Sequence, residues 1–141
     1  MDIARLIQSS IAPVFLFSGV AATLSVLTNR LSRIVDRARA LEGQLESHPG
    51  RSGQLHGDLV VLGRRAHYIN VAISLCAIAA LLVALVVVTL FANAFFLHSE
   101  LAIVIALLFV GAMVCLSAAF IAFFIEVRLA VAALRIGIRN S

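Results

Sequence analysis

The chain has no lysine, only two cysteines and two prolines, and charged residues fill just 13% of its 141 positions. A soluble domain carries roughly a quarter charged residues. This shortage argues against an ordinary soluble enzyme, a disordered chain and a nucleic-acid-binding domain. Cys76 and Cys115 stand alone, far from each other and from any His or acid, so neither a zinc site nor a redox pair is expected. They read as small apolar residues. His48 and His56 flank a Gly-rich turn without ligand spacing. Phosphate loops, nucleophile elbows and dinucleotide glycine motifs do not occur. Neither does the internal repeat that builds inverted-repeat transporters. No catalytic residue, metal or cofactor is expected, and the chain is not expected to be an enzyme.

What the chain has in excess is apolar surface: 62% of residues are hydrophobic, and the mean hydropathy is +1.10. The excess sits in three runs, residues 6–27, 69–97 and 101–125. At about 1.5 Å per residue, each is long enough to cross a hydrocarbon core of about 30 Å. The first run lacks a basic leading segment and a clear small-residue cleavage site, so it reads as a mature helix rather than a signal peptide.

All eleven basic residues are Arg. Seven lie between Arg30 and Arg65, against Asp36, Glu42, Glu46 and Asp58, and three more follow Glu126 in the tail. The segment His98-Ser99-Glu100 has none, and the N-terminus has only Arg5 beside Asp2. Arg collects in cytoplasmic loops, which predicts an N-terminus outside, residues 30–65 and the C-terminus inside, and an outer turn at 98–100. Membrane orientation thus accounts for the basic charge without nucleic acid.

Between the first two spans, Leu31, Ile34, Val35, Ala38, Leu41 and Leu45 recur at helical spacing, and no Gly or Pro lies between Gly19 and Gly43. The first helix is expected to run on to about Glu46. The breakers from Ser47 to Gly53 end it, and Asp58 is expected to cap a second helix that enters the next span. The fold class is therefore an all-α membrane protein with three transmembrane helices. Its first two helices extend into a cytoplasmic antiparallel hairpin over 30–67, and an amphipathic C-terminal helix covers 126–139. Residues 1–141 form a single membrane domain in this reading.

Small residues let helices approach in lipid. Ala72, Cys76, Ala80 and Ala84 on the second span and Gly111, Cys115 and Ala119 on the third recur every four residues. The first span is unusually polar. Ser18, Ala22, Ser25, Asn29, Ser32 and Asp36 fall within about 40° of one line on a helix of 3.6 residues per turn. One reading makes Ser18, Ser25, Asn29, Ser32 and Asp36 the lining of a hydrophilic pathway formed by symmetry copies. The other has the hydroxyls bond back to helix carbonyls or bridge helices within the protomer. Pro13 is expected to bend the outer part of this helix.

Glu126 is the one acid at the end of the third span, and a carboxylate at that depth needs a partner. Arg30, Arg33 and Arg64 are at a similar expected depth. An ion-pair lock suits them better than a proton relay, which would need further acids or histidines deeper in the membrane.

The stretch Gln8 to Pro13, the pair Asn29-Arg30, the run Arg33 to Leu41, the pair Arg64-Arg65 and the segment Glu126-Val127-Arg128-Leu129 resemble a bacterial membrane family catalogued as domain of unknown function 2721. The resemblance spans nearly the whole chain. It implies a small bacterial integral membrane protein with three helices, and it supplies no substrate or cofactor. Together these readings point to a multi-pass protein of the bacterial inner (plasma) membrane whose partners are the lipid bilayer and further copies of itself. The expected function is a homo-oligomeric channel or pore with the first helix on the axis. The alternative is a non-conducting structural or regulatory subunit whose cytoplasmic hairpin binds an unknown protein partner.

Overall fold

The computed structural model describes the backbone of residues 3–96 and 100–139. It consists of α1 (Ile3–Ser47), a short 3-10 turn (Pro49–Arg51), α2 (Ser52–Phe96) and α3 (Leu101–Arg139). Among the described residues there is no strand. All three helices are long and apolar enough to cross a membrane. Glu100 is a turn residue just before α3; the rest of the expected outer turn, and the last residue of the expected second span, lie outside the described residues.

α1 ends one residue beyond the expected limit. Its last turn is closed by the backbone N–H of His48 donating to Gln44 O at 2.9 Å. The expected entry to α2 is corrected. Asp58 does not cap that helix, which starts six residues earlier at Ser52 and runs through Gly53 and Gly57. The reason is packing: Leu55, in the first turn and a half, is buried, and tertiary burial outweighs the roughly 1 kcal/mol helical penalty of each Gly. His56 is accordingly a helix residue rather than a loop residue. The expected C-terminal helix is the last part of α3, with no break near Glu126. Pro13 is buried within a continuous α1.

Burial along each helix follows a seven-residue period. On α1 it recurs at Leu6, Pro13, Val20, Leu27, Ile34 and Leu41. On α2 it recurs at Leu55, Leu62, Ile69, Cys76 and Val83, with a second row at Ala72, Ala79 and Val86. On α3 it recurs at Ala112, Ala119 and Glu126, with Ala122 in the second row. This is the a/d seam of supercoiled helices, in which alternating three- and four-residue steps keep one face turned to the partners. The small residues that pack are therefore Ala72, Cys76 and Ala79 against the expected row Ala72, Cys76, Ala80 and Ala84. On α3, Ala112 and Ala119 are buried, while Gly111 and Cys115 are half-buried.

The chain divides into two compact units, and each helix contributes to both. The first comprises residues 1–25 and 74–119. Its seam mixes the small residues Cys76, Ala79, Ala112 and Ala119 with Leu6, Val20, Val83 and Val86, and a Cβ added at Gly111 would sit 3.5 Å from Leu82 Cδ1, ordinary contact distance. Its outer surface carries exposed Phe15, Leu81, Val88, Leu107 and Val114, as a lipid-facing surface requires. The second unit comprises residues 26–73 and 120–141. Its seam uses larger side chains, Leu27, Ile34, Leu41, Leu55, Leu62 and Ile69, and much of its exterior is charged. Where water bathes the helices, burying each such side chain contributes about 1.5–3 kcal/mol.

A continuous α1 through residue 38 has a direct consequence. Ala38→Pro removes a helical hydrogen bond and clashes with the preceding turn, so it should cost about 3 kcal/mol or more. The check is thermal unfolding of the purified protein followed by circular dichroism; an unchanged midpoint would contradict the continuous helix.

Candidate functional site

Position 126 belongs to the seam of α3, seven residues after Ala119, and there the chain places a carboxylate in place of a small apolar group. Glu126 is fully buried. Arg30 follows the seam residue Leu27 by three positions on α1, and Arg65 follows Leu62 by three on α2. The three helices thus bring one acid and two bases into the same layer of the second unit.

Arg30 donates from Nε to Glu126 Oε2 at 3.0 Å, and its Nη2 lies 2.7 Å from the same oxygen. Arg65 donates from Nε to Oε1 at 3.0 Å. Each carboxylate oxygen is therefore covered by a different helix. The Arg30 guanidinium also lies over the Phe123 ring, 5.4 Å from its centroid, one turn before Glu126 on α3. Among the described residues no buried side-chain polar atom lacks a hydrogen-bond partner. That completeness is what allows the charges to be buried, because an uncompensated carboxylate there would carry a penalty of several kcal/mol.

The expected partners of Glu126 were Arg30, Arg33 and Arg64. Arg30 takes part; Arg33 and Arg64 are exposed and make neither ion pair. Arg65 fills the second place. Adjacent helix residues differ by about 100° in direction, so with Leu62 and Ile69 on the seam, Arg65 turns inward and Arg64 outward. Reading the seven-residue period through the Arg64-Arg65 pair would have picked the correct arginine.

The polar residues of α1 lie elsewhere. Ser18, Ala22, Ser25, Asn29, Ser32 and Asp36 are all exposed, on the side opposite the buried row Val20, Leu27 and Ile34. Ser18, Ser25 and Ser32 are themselves seven residues apart, as are Ala22, Asn29 and Asp36. This face is not packed against the helices of its own protomer. Other hydroxyls do return to the helix: Ser10 donates to Leu6 O and Thr23 to Gly19 O, both at 2.9 Å. Among the described residues no three His, Cys, Asp or Glu side chains come together as a metal site.

Residues 10–136 match the family described as Protein of unknown function (DUF2721). No curated protein matches the chain, and no solved structure does.

Removing the acid should be far more damaging than removing an outward arginine. Glu126→Ala strands two guanidiniums and should cost about 3–5 kcal/mol, with Glu126→Gln losing less because its amide oxygen still accepts. Arg64→Gln should stay within about 0.5 kcal/mol of the parent. Denaturant unfolding in detergent measures both, and equal losses for Arg64 and Arg65 variants would overturn the assignment.

Proposed function

The chain belongs to the DUF2721 family, and from the geometry of its helices we propose that it is a homo-oligomeric membrane channel in which copies of α1 surround a hydrated axis. One observation carries this reading: the polar face of α1 points away from the helices of its own protomer. Ser18 and Ser25 lie inside the apolar run of residues 6–27, and Asn29 follows at its end. Polar groups at membrane depth turn toward a bundle interior or a water-filled cavity. Three helices are too few to enclose a path, so such an interior requires further copies. The seven-residue spacing of Ser18, Ser25 and Ser32 suits packing of copies around an axis, because it keeps the same face inward along the helix.

In this proposal Asp36 stands near one mouth with Arg33 beside it, so the balance of the two sets the potential that an entering ion meets. In this proposal that mouth and the hairpin face the cytoplasm of a bacterial cell, with the N-terminus outside the inner membrane, and the Arg distribution supports that orientation. The role is conduction and not catalysis. The second reading is a non-conducting subunit whose hairpin docks a protein partner, with the adjacent exposed Val60 and Val61 as its apolar contact.

The two are separated by measuring oligomeric mass in lipid nanodiscs and ion flux in liposomes. The channel should be oligomeric and conducting, and Ser25→Leu should cut flux at least about tenfold, by dewetting the constriction, while leaving assembly intact. A monomer, or flux unchanged by Ser25→Leu, would overturn the channel; a stable oligomer without flux would favour the docking subunit.

A further inference from the structure

Beside the Glu126 layer, within the second unit, lies a cavity of about 200 Å³ lined by Arg30, Arg33, Ile34, Arg37, Leu62 and Arg65. A neighbouring cavity of about 300 Å³ shares Arg37, Leu62 and Arg65 and extends to Asp58 and Ala133. We propose that the four-arginine cavity binds a phosphate-bearing anion, whether a lipid headgroup or a soluble phosphorylated ligand.

Charge is the first support. Four guanidiniums from two helices line one cavity, and among the described residues the only carboxylate paired with any of them is Glu126. Among the described residues Arg33 and Arg37 form no ion pair. Glu126 is not free to neutralise the cavity, because Arg30 covers one of its oxygens and Arg65 covers the other. What it does is hold those two guanidiniums in place, with Phe123 against the face of Arg30. A guanidinium has five N–H donors. The ion pairs use two nitrogens of Arg30 and one of Arg65, which leaves donors on both beside those of Arg33 and Arg37.

Shape is the second. Arg30, Arg33 and Arg37 are spaced three and four residues apart, so they share one flank of α1 over about 10 Å of rise, and Arg65 closes the cavity from α2. A carboxylate offers two oxygens, and Glu126 shows that two arginines already fill them. A phosphate offers three or more acceptors in a tetrahedral array, which matches guanidinium forks arriving from several directions. The volume holds such a group with several waters at about 30 Å³ each.

Position is the third. The apolar runs of the sequence end at Leu27 and Ile125 and begin again at Ile69, so Arg30, Arg65 and Glu126 all stand just beyond the hydrocarbon. Basic pockets between membrane helices at this level recognise phosphate headgroups. The polar-face residues Ser18, Ser25, Asn29, Ser32 and Asp36 do not line the cavity; Arg33 is shared with the proposed mouth, so the site is tested by ligand binding and not by flux.

The test uses the full chain in phosphatidylcholine nanodiscs and reads the melting temperature. One arm titrates inorganic phosphate and pyrophosphate against chloride at constant ionic strength; the other adds phosphatidic acid to the discs. One of these probes should raise the melting temperature. The double variant Arg33→Gln/Arg37→Gln, which spares both Glu126 pairs, should bind that probe at least about tenfold more weakly, as loss of charged hydrogen bonds implies. Arg51→Gln, off the cavity in the 3-10 turn, should respond like the parent. Stabilisation by phosphatidic acid alone assigns a headgroup, and stabilisation by the soluble anions assigns a free ligand. If the double variant does not fold, Arg37→Gln alone carries the same comparison. No response to any probe, or an equal response in the variants that lack cavity arginines, would overturn the site.

Discussion

A carboxylate can be buried only if both of its oxygens are answered, and the rest of this structure is arranged around that requirement at Glu126. Its two partners come from two different helices, so α1, α2 and α3 must stand in one relative register for the layer to close. Apolar seam residues slide past one another at little cost. A charged layer does not, because a shift of one helical turn would strand Glu126 without its guanidinium donors. A polar residue at a seam position trades stability for register in supercoiled helices generally. Glu126 does so with a full charge.

The two units differ in how their seams are built. In the unit with the apolar exterior the seam combines Cys76, Ala79, Ala112 and Ala119 with Leu6, Val20, Val83 and Val86. Hydrocarbon gives no hydrophobic drive for helices to associate, so close backbone approach and dispersion must hold them. In the unit with the charged exterior, Ile34, Leu41, Leu55 and Leu62 occupy equivalent positions. Water supplies the driving force there, and larger side chains exploit it. The same seven-residue period serves both units, with small residues more frequent where the exterior is apolar.

Much of the fold was legible from residues alone. Three runs of low polarity set the helix count, and the absence of Gly and Pro between Gly19 and Gly43 carried α1 past its span. The start of α2 was missed because Gly53 and Gly57 look like breakers, and the buried contact of Leu55 that overrides them is a tertiary fact. At the candidate site, the cost of a lone carboxylate identified Glu126 and Arg30. It also named Arg33, and it named Arg64 where Arg65 makes the pair, because depth in the membrane is nearly the same for neighbours. Direction around the helix decides, and that follows only from a seam register set by Leu62 and Ile69. The polar face of α1 was visible as a line of residues; that it points outward depends on which face the seam claims.

The most direct measurement of the central claim is a double-mutant cycle between Glu126 and Arg65. Unfolding free energies of Glu126→Gln, Arg65→Gln and the pair are compared with the parent in one lipid or detergent. If the two side chains form a shared buried layer, the effects should be non-additive by at least about 1 kcal/mol, as for residues in one ion-pair network. Additivity within about 0.5 kcal/mol, the behaviour of distant independent sites, would contradict it.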